Sequence, residues 1–130
     1  MGELNFVNQT LVVVATGEQA KTFRVIDGSL RHEANWTPEN LDDEGPSGKR
    51  PHDSLPKSND EATFSKQIAQ RLYALAHGGG FEKLVIVADP QTLGEIRPLL
   101  HHEVTDKLVS ELAKTLINSP VADIERSLKT

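Results

Sequence analysis

The stretch FEKLVIVADPQTLGEIRPLL, residues 81–100, decides the fold class of this chain. Leu84 to Ala88 is an unbroken apolar run with two valines and an isoleucine, which is how a strand buried on both faces of a parallel sheet reads. Asp89 and Pro90 end it. Asp offers a side-chain acceptor at the N-cap, and the fixed φ of Pro suits the first helical position. Leu93 and Ile96 then fall on one helical face. A strand passing into a helix within two residues is a βα unit, and ligands of open α/β sheets gather beyond the carboxyl ends of such strands. Asp89, Gln91 and Thr92 are therefore candidate binding residues.

Working upstream, Gly78-Gly79-Gly80 stops a helix predicted over Asn59 to His77. Phe64, Ile68, Leu72 and Leu75 recur there at helical spacing, and Ser58 with Glu61 has the spacing of a capping box. Near the start, Leu11 to Thr16 (LVVVAT) reads as a buried strand closed by Gly17, and Lys21 to Ile26 alternates as a half-exposed strand does. After the Asp27-Gly28 turn signal, Leu30 to Trp36 supplies a third antiparallel strand. Downstream, Pro98 breaks the helix that begins after Asp89, and Leu99 to Leu108 is predicted to continue as a second helical piece. Val109 to Leu116 has a helix-favouring composition, but the sheet needs another member, and we read it as a strand. Ser119-Pro120 then opens a terminal helix with Val121, Ile124 and Leu128 on one face.

The order β-β-β-α-β-α-β-α, with right-handed crossovers, predicts an α/β fold: a mixed five-stranded sheet ordered 3-2-1-4-5 with helices on both faces, the ribonuclease H-like arrangement. The crevice then lies between strands one and four, which adds Thr16 and Gly17 to the candidate residues. Residues 37–58 stand apart. They hold four of the seven prolines and the acidic run Asp42-Asp43-Glu44, a composition that predicts a flexible loop. Lys49, Arg50 and His52 are the candidate contacts there, should a partner order it.

At 130 residues the chain is expected to form one domain over 1–130. Without cysteine it has no disulfide, thiolate metal site or cysteine nucleophile. No basic-then-apolar leader and no membrane-length apolar run is present, so a soluble cytoplasmic protein with no membrane partner is the default expectation. A net charge of −5 argues against a bulk electrostatic grip on nucleic acid, while leaving room for a local basic patch.

Four segments carry a family resemblance that spans nearly the whole chain: LVVVATGEQAKTFRV, FSKQIAQRLYAL, FEKLVIVADPQTLGEIRPLLH and LVSELAKTLINSPVADIERSL. In these the chain resembles the bacterial host attachment proteins, which are similar to domains of eukaryotic and archaeal peptide-release factors. The resemblance implies RNA or a ribosome-associated protein as partner. Two departures bear on activity. The family pattern has an acidic residue where this chain has Thr16, and the Gly-Gly-Gln loop with which release factors hydrolyse peptidyl-tRNA is missing. Gly78-Gly79-Gly80 lacks the glutamine and reads as a helix stop.

The candidate chemistry is correspondingly thin. A ribonuclease H-type nuclease gathers carboxylates from strand one, the first helix and the end of strand four around two Mg²⁺ ions. Asp89 holds the strand-four place and Glu61 is near the helix start, so a metal-dependent hydrolase built on these two is one alternative reading, and a direct part in attachment to host cells, implied by the resemblance, is another; strand one offers no carboxylate. Asp89 is explained as well by capping. His101-His102-Glu103 invites a metal reading, but neighbours within one helix point about a hundred degrees apart and would not share an ion. No phosphate-binding glycine fingerprint occurs. The sequence reading is thus a binding domain with no catalytic residue, no metal and no cofactor.

Overall fold

The computed structural model describes residues 6–38 and 60–129, with the side chains of 60–63 and 129 outside that description. Five strands form one sheet: β1 (Leu11–Ala15), β2 (Ala20–Ile26), β3 (Ser29–Trp36), β4 (Leu84–Ala88) and β5 (Leu108–Ala113). Their order is β3-β2-β1-β4-β5. Pairing is antiparallel from β1 to β2 and from β2 to β3, and parallel from β1 to β4 and from β4 to β5. This is the ribonuclease H-like mixed sheet expected from the pattern. The helices are α1 (Asp60–His77), α2 (Pro90–Ile96), α3 (His102–Thr105) and α4 (Val121–Lys129), with a 3-10 turn at Arg97–Leu99.

Apolarity on both faces puts β1 and β4 at the centre. All five residues of each are buried. Leaving such side chains at a wet edge would cost roughly 1.5–3 kcal/mol for each Val, Leu or Ile. Alternate residues feed two cores. Leu11, Val13, Leu84 and Ile86 pack with Phe64, Ile68 and Leu72 of α1, Leu93 and Ile96 of α2, and Val104 of α3. Val12, Val14, Val85 and Val87 pack with Phe23, Val25, Ile117 and Ile124 on the other face.

Turn chemistry sets the connections. Asp27 and Gly28 both have positive φ, 53° and 82°, the two-residue turn whose twist matches a hairpin. The end of α1 is a Schellman motif: Gly79 has φ 79°, the Gly80 amide donates to the Leu75 carbonyl at 2.6 Å, and the Gly79 amide donates to Ala76 at 3.2 Å. β5 is a strand despite its helix-favouring composition, because the free edge of β4 leaves backbone groups that need partners.

Two expectations are corrected. The piece predicted over Leu99 to Leu108 is only the four residues of α3, because Leu100 and His101 have extended ψ values of 130° and 153° beyond Pro98. Val121 does not share the buried face of α4; it is 38% exposed while Ile124 is 1% exposed. Among the described residues no helix is long and apolar enough to cross a membrane.

Candidate functional site

The crevice at the carboxyl ends of β1 and β4 forms as the topology requires. Ala15 pairs with Ala88, so Thr16 and Asp89 leave the sheet side by side in sequence register. What each does there is local. The Thr16 hydroxyl accepts from the amides of Glu18 at 3.1 Å and Gln19 at 3.3 Å, and the Thr16 amide donates to the Gln19 carbonyl at 2.9 Å, so this side chain closes the β1–β2 turn. Asp89, in an extended conformation, is the N-cap of α2: its Oδ2 accepts from the Thr92 amide at 3.1 Å. Thr92 is itself buried, at 4% exposure. Gly17 and Asp89 are half-exposed and Gln91 is exposed, so these three and Thr16 form the accessible rim. Glu61 lies in the first turn of α1, but its side chain is outside the described residues, as are Lys49, Arg50 and His52 entirely. Thr37 and Pro38, where the predicted loop begins, are described, and the Pro38 carbonyl accepts from Gln67 Nε2 of α1 at 3.3 Å.

A second polar cluster sits at the opposite, amino-terminal end of β4 and β5. His101, His102 and Glu103 each place one potential ligand atom so that all three lie within 4.8 Å of one another. The expectation that the two histidines would diverge assumed that both were helical. His101 is instead the extended N-cap of α3, its Nδ1 accepting from the Glu103 amide at 3.1 Å, and the change of backbone conformation at the cap brings its ring over that of His102, with centroids 4.3 Å apart. The Tyr73 ring of α1 also lies against that of His101, with centroids 4.4 Å apart. His77, in the last turn of α1, reaches Glu103 Oε1 with Nδ1 at 3.2 Å. Beside this cluster is a groove of about 320 Å³ lined by Lys66, Ala69, Gln70, Tyr73, Leu99 and His101. A local signal for His101 existed in the sequence: Pro98 three residues earlier interrupts the helix and makes a fresh cap necessary. The His77 contact, 26 residues away in the chain, had none.

Between the two ends, Arg97 and Glu111 tie the α2–α3 connection to β5, with Nε and Nη2 at 2.8 and 2.5 Å from Oε1. The hydrogen bond and charge of Glu111 raise the Arg97 guanidinium above its ordinary value.

Compared with known families, residues 9–128 match the model of the bacterial archaeo-eukaryotic release factor family 12. The chain belongs to that family. Among solved structures, the family 12 chain is similar to an archaeal protein with a TM-score of 0.52 and 13% identity, over 91% of this chain and 36% of that one. At that identity the likeness establishes the fold alone, and the family 12 chain spans little more than a third of the archaeal protein. No curated protein matches it. Release-factor likeness, implied by the four sequence segments, is thus the part of the resemblance that the family match supports.

Proposed function

We propose that this chain is a single non-catalytic binding domain, working in the cytoplasm on a ribosome- or RNA-linked partner. Membership in a release factor family supports the setting. The observation that carries the non-catalytic reading is the use made of Asp89. Its carboxylate accepts from the Thr92 amide as a helix cap, and its neighbour across the register is the turn-closing Thr16, not a second carboxylate. Two-metal hydrolysis needs carboxylates converging on the ions from several elements. A rim made of Thr16, Gly17, Asp89 and Gln91 instead offers the Gln91 side-chain amide and backbone groups suited to holding a partner, with Lys49, Arg50 and His52 as further contacts from the proline-rich segment 37–58. An attachment-to-host phenotype, of the kind the host attachment name records, would on this reading be an indirect consequence of the role in translation.

The test is co-sedimentation of the purified chain with purified ribosomes and subunits on sucrose gradients, with and without nuclease treatment. The chain is expected to move with a ribosomal fraction, and a Lys49→Glu, Arg50→Glu variant to move less. A chain that stays at the top of every gradient, while showing a Mg²⁺-dependent hydrolysis that Asp89→Asn abolishes without lowering the melting temperature, would replace this reading with the hydrolase.

A further inference from the structure

We propose that His101, His102 and Glu103 bind a transition-metal cation of the Zn²⁺ class, with His77 as the residue that positions the Glu103 carboxylate. The proposal is independent of the ribosomal reading, since it concerns the other end of the sheet. Three observations carry it. One ligand atom from each of the three side chains falls within 4.8 Å of the others. The set of two imidazoles and a carboxylate is the donor chemistry of Zn²⁺ and its neighbours, whereas Mg²⁺ and Ca²⁺ favour oxygen shells. The side chains are also held by neighbours outside the triplet: the His101 ring lies against Tyr73, and the Glu103 carboxylate is hydrogen-bonded by His77 from α1. A hydrogen bond to a ligating carboxylate from outside the coordination shell is how metal sites orient such ligands.

Closing the site asks for small movements. Bonds of roughly 2.0–2.2 Å in a tetrahedral shell put neighbouring ligand atoms roughly 3.3–3.6 Å apart. The side chains must therefore turn inward: His101 and His102 are exposed and Glu103 is half-exposed, and the turn requires the His101 ring to shift against those of Tyr73 and His102. Coordination through His101 gives up the cap that its Nδ1 now provides to the Glu103 amide, by displacement if that nitrogen binds and by change of tautomer if Nε2 does. Three protein ligands leave a fourth position for water or an added donor, as in open zinc sites.

The experiment is calorimetric titration of the full chain, stripped of metal with chelator, with ZnCl₂, paired with the visible spectrum of the Co²⁺ complex and the imidazole NMR signals. The expected result is one saturable equivalent, a tetrahedral Co²⁺ spectrum, and shifts of the His101 and His102 ring signals. His101→Ala and His102→Ala should each weaken binding by more than tenfold, and His77→Ala by about tenfold or more, the usual loss when a ligand's orienting partner is removed. His32→Ala, on β3 and hydrogen-bonded to Asn35, should leave it unchanged. Melting curves establish that each variant is folded, and His102→Gln replaces His102→Ala if the latter is not. Absence of saturable Zn²⁺ binding overturns the proposal. So does a folded double variant lacking both His101 and His102 that binds the ion as well as the native chain.

Discussion

The two ends of the sheet spend their polar residues in opposite ways. At the carboxyl end, Thr16 and Asp89 bond to backbone amides two or three positions away in their own segments. At the amino end, Tyr73, His77, His101, His102 and Glu103 reach one another across α1 and α3. A side chain committed to the backbone beside it supports an element and contributes little chemistry. Side chains that converge from separate elements can share a ligand. The end that resembles an active site by topology therefore brings no donors together from separate elements through Thr16 and Asp89, while the end no topological rule points to holds the converging ones.

The largest expected effect would break the amino end from beneath. Val104 is fully buried under α3, and Val104→Ala should cost about 2 kcal/mol by loss of buried methyl groups and the space they leave. Denaturant unfolding measures that cost. Zn²⁺ affinity should fall as well, although no ligand is altered. Next is Gly79→Ala, which forces a Cβ into the left-handed region at φ 79° and should cost about 1–2 kcal/mol. Nothing lies within 4 Å of that added atom, so the loss would be conformational and not steric.

At the carboxyl end, Asp89→Ala should cost about 1 kcal/mol and Asp89→Asn almost nothing, since either cap side chain accepts the Thr92 amide. A difference of that size in melting experiments, with ribosome binding retained by Asp89→Asn, would sharpen the contrast. A large functional loss in the Asn variant would erase it. Arg97→Gln should have the smallest effect, because the pair with Glu111 is open to solvent and salt screens it. A raised guanidinium value means that the Arg97 contribution is fully present below its unfolded value and lost only as pH climbs through the folded one. The difference from the native chain should therefore be flat from neutral to mildly alkaline pH.

Much of the fold was legible because central strands announce themselves. Leu84 to Ala88 and Leu11 to Thr16 are apolar almost without interruption, the Asp27-Gly28 pair dictates a hairpin turn, and the Asp89-Pro90 pair dictates a helix start. β5 was harder, since Ser110, Glu111 and Lys114 belong equally to a helix; only the unsatisfied edge of β4 decides, and the strand ends at Ala113, short of the expected Leu116. The crevice could be located from strand order, and the Asp89 cap from the Asp-Pro pair. The amino-end cluster could not. Its geometry depends on the extended backbone at Leu100 and His101 and on a contact with His77, and neither periodicity nor spacing encodes a meeting of α1 with α3.

The sheet is unevenly roofed. Among the described residues, α1, α2 and α3 cover one face, while the other is covered by the nine-residue α4, with Phe6, Leu116 and Ile117 beside it, and α4 is fastened to β3 where Glu125 accepts the Leu30 amide at 2.8 Å. Detaching that single helix would wet Val12, Val14, Val85 and Val87 from one side without breaking a strand pairing. The expected order of opening therefore starts with α4: in hydrogen exchange its amides should be replaced while those of β1 and β4 are still protected.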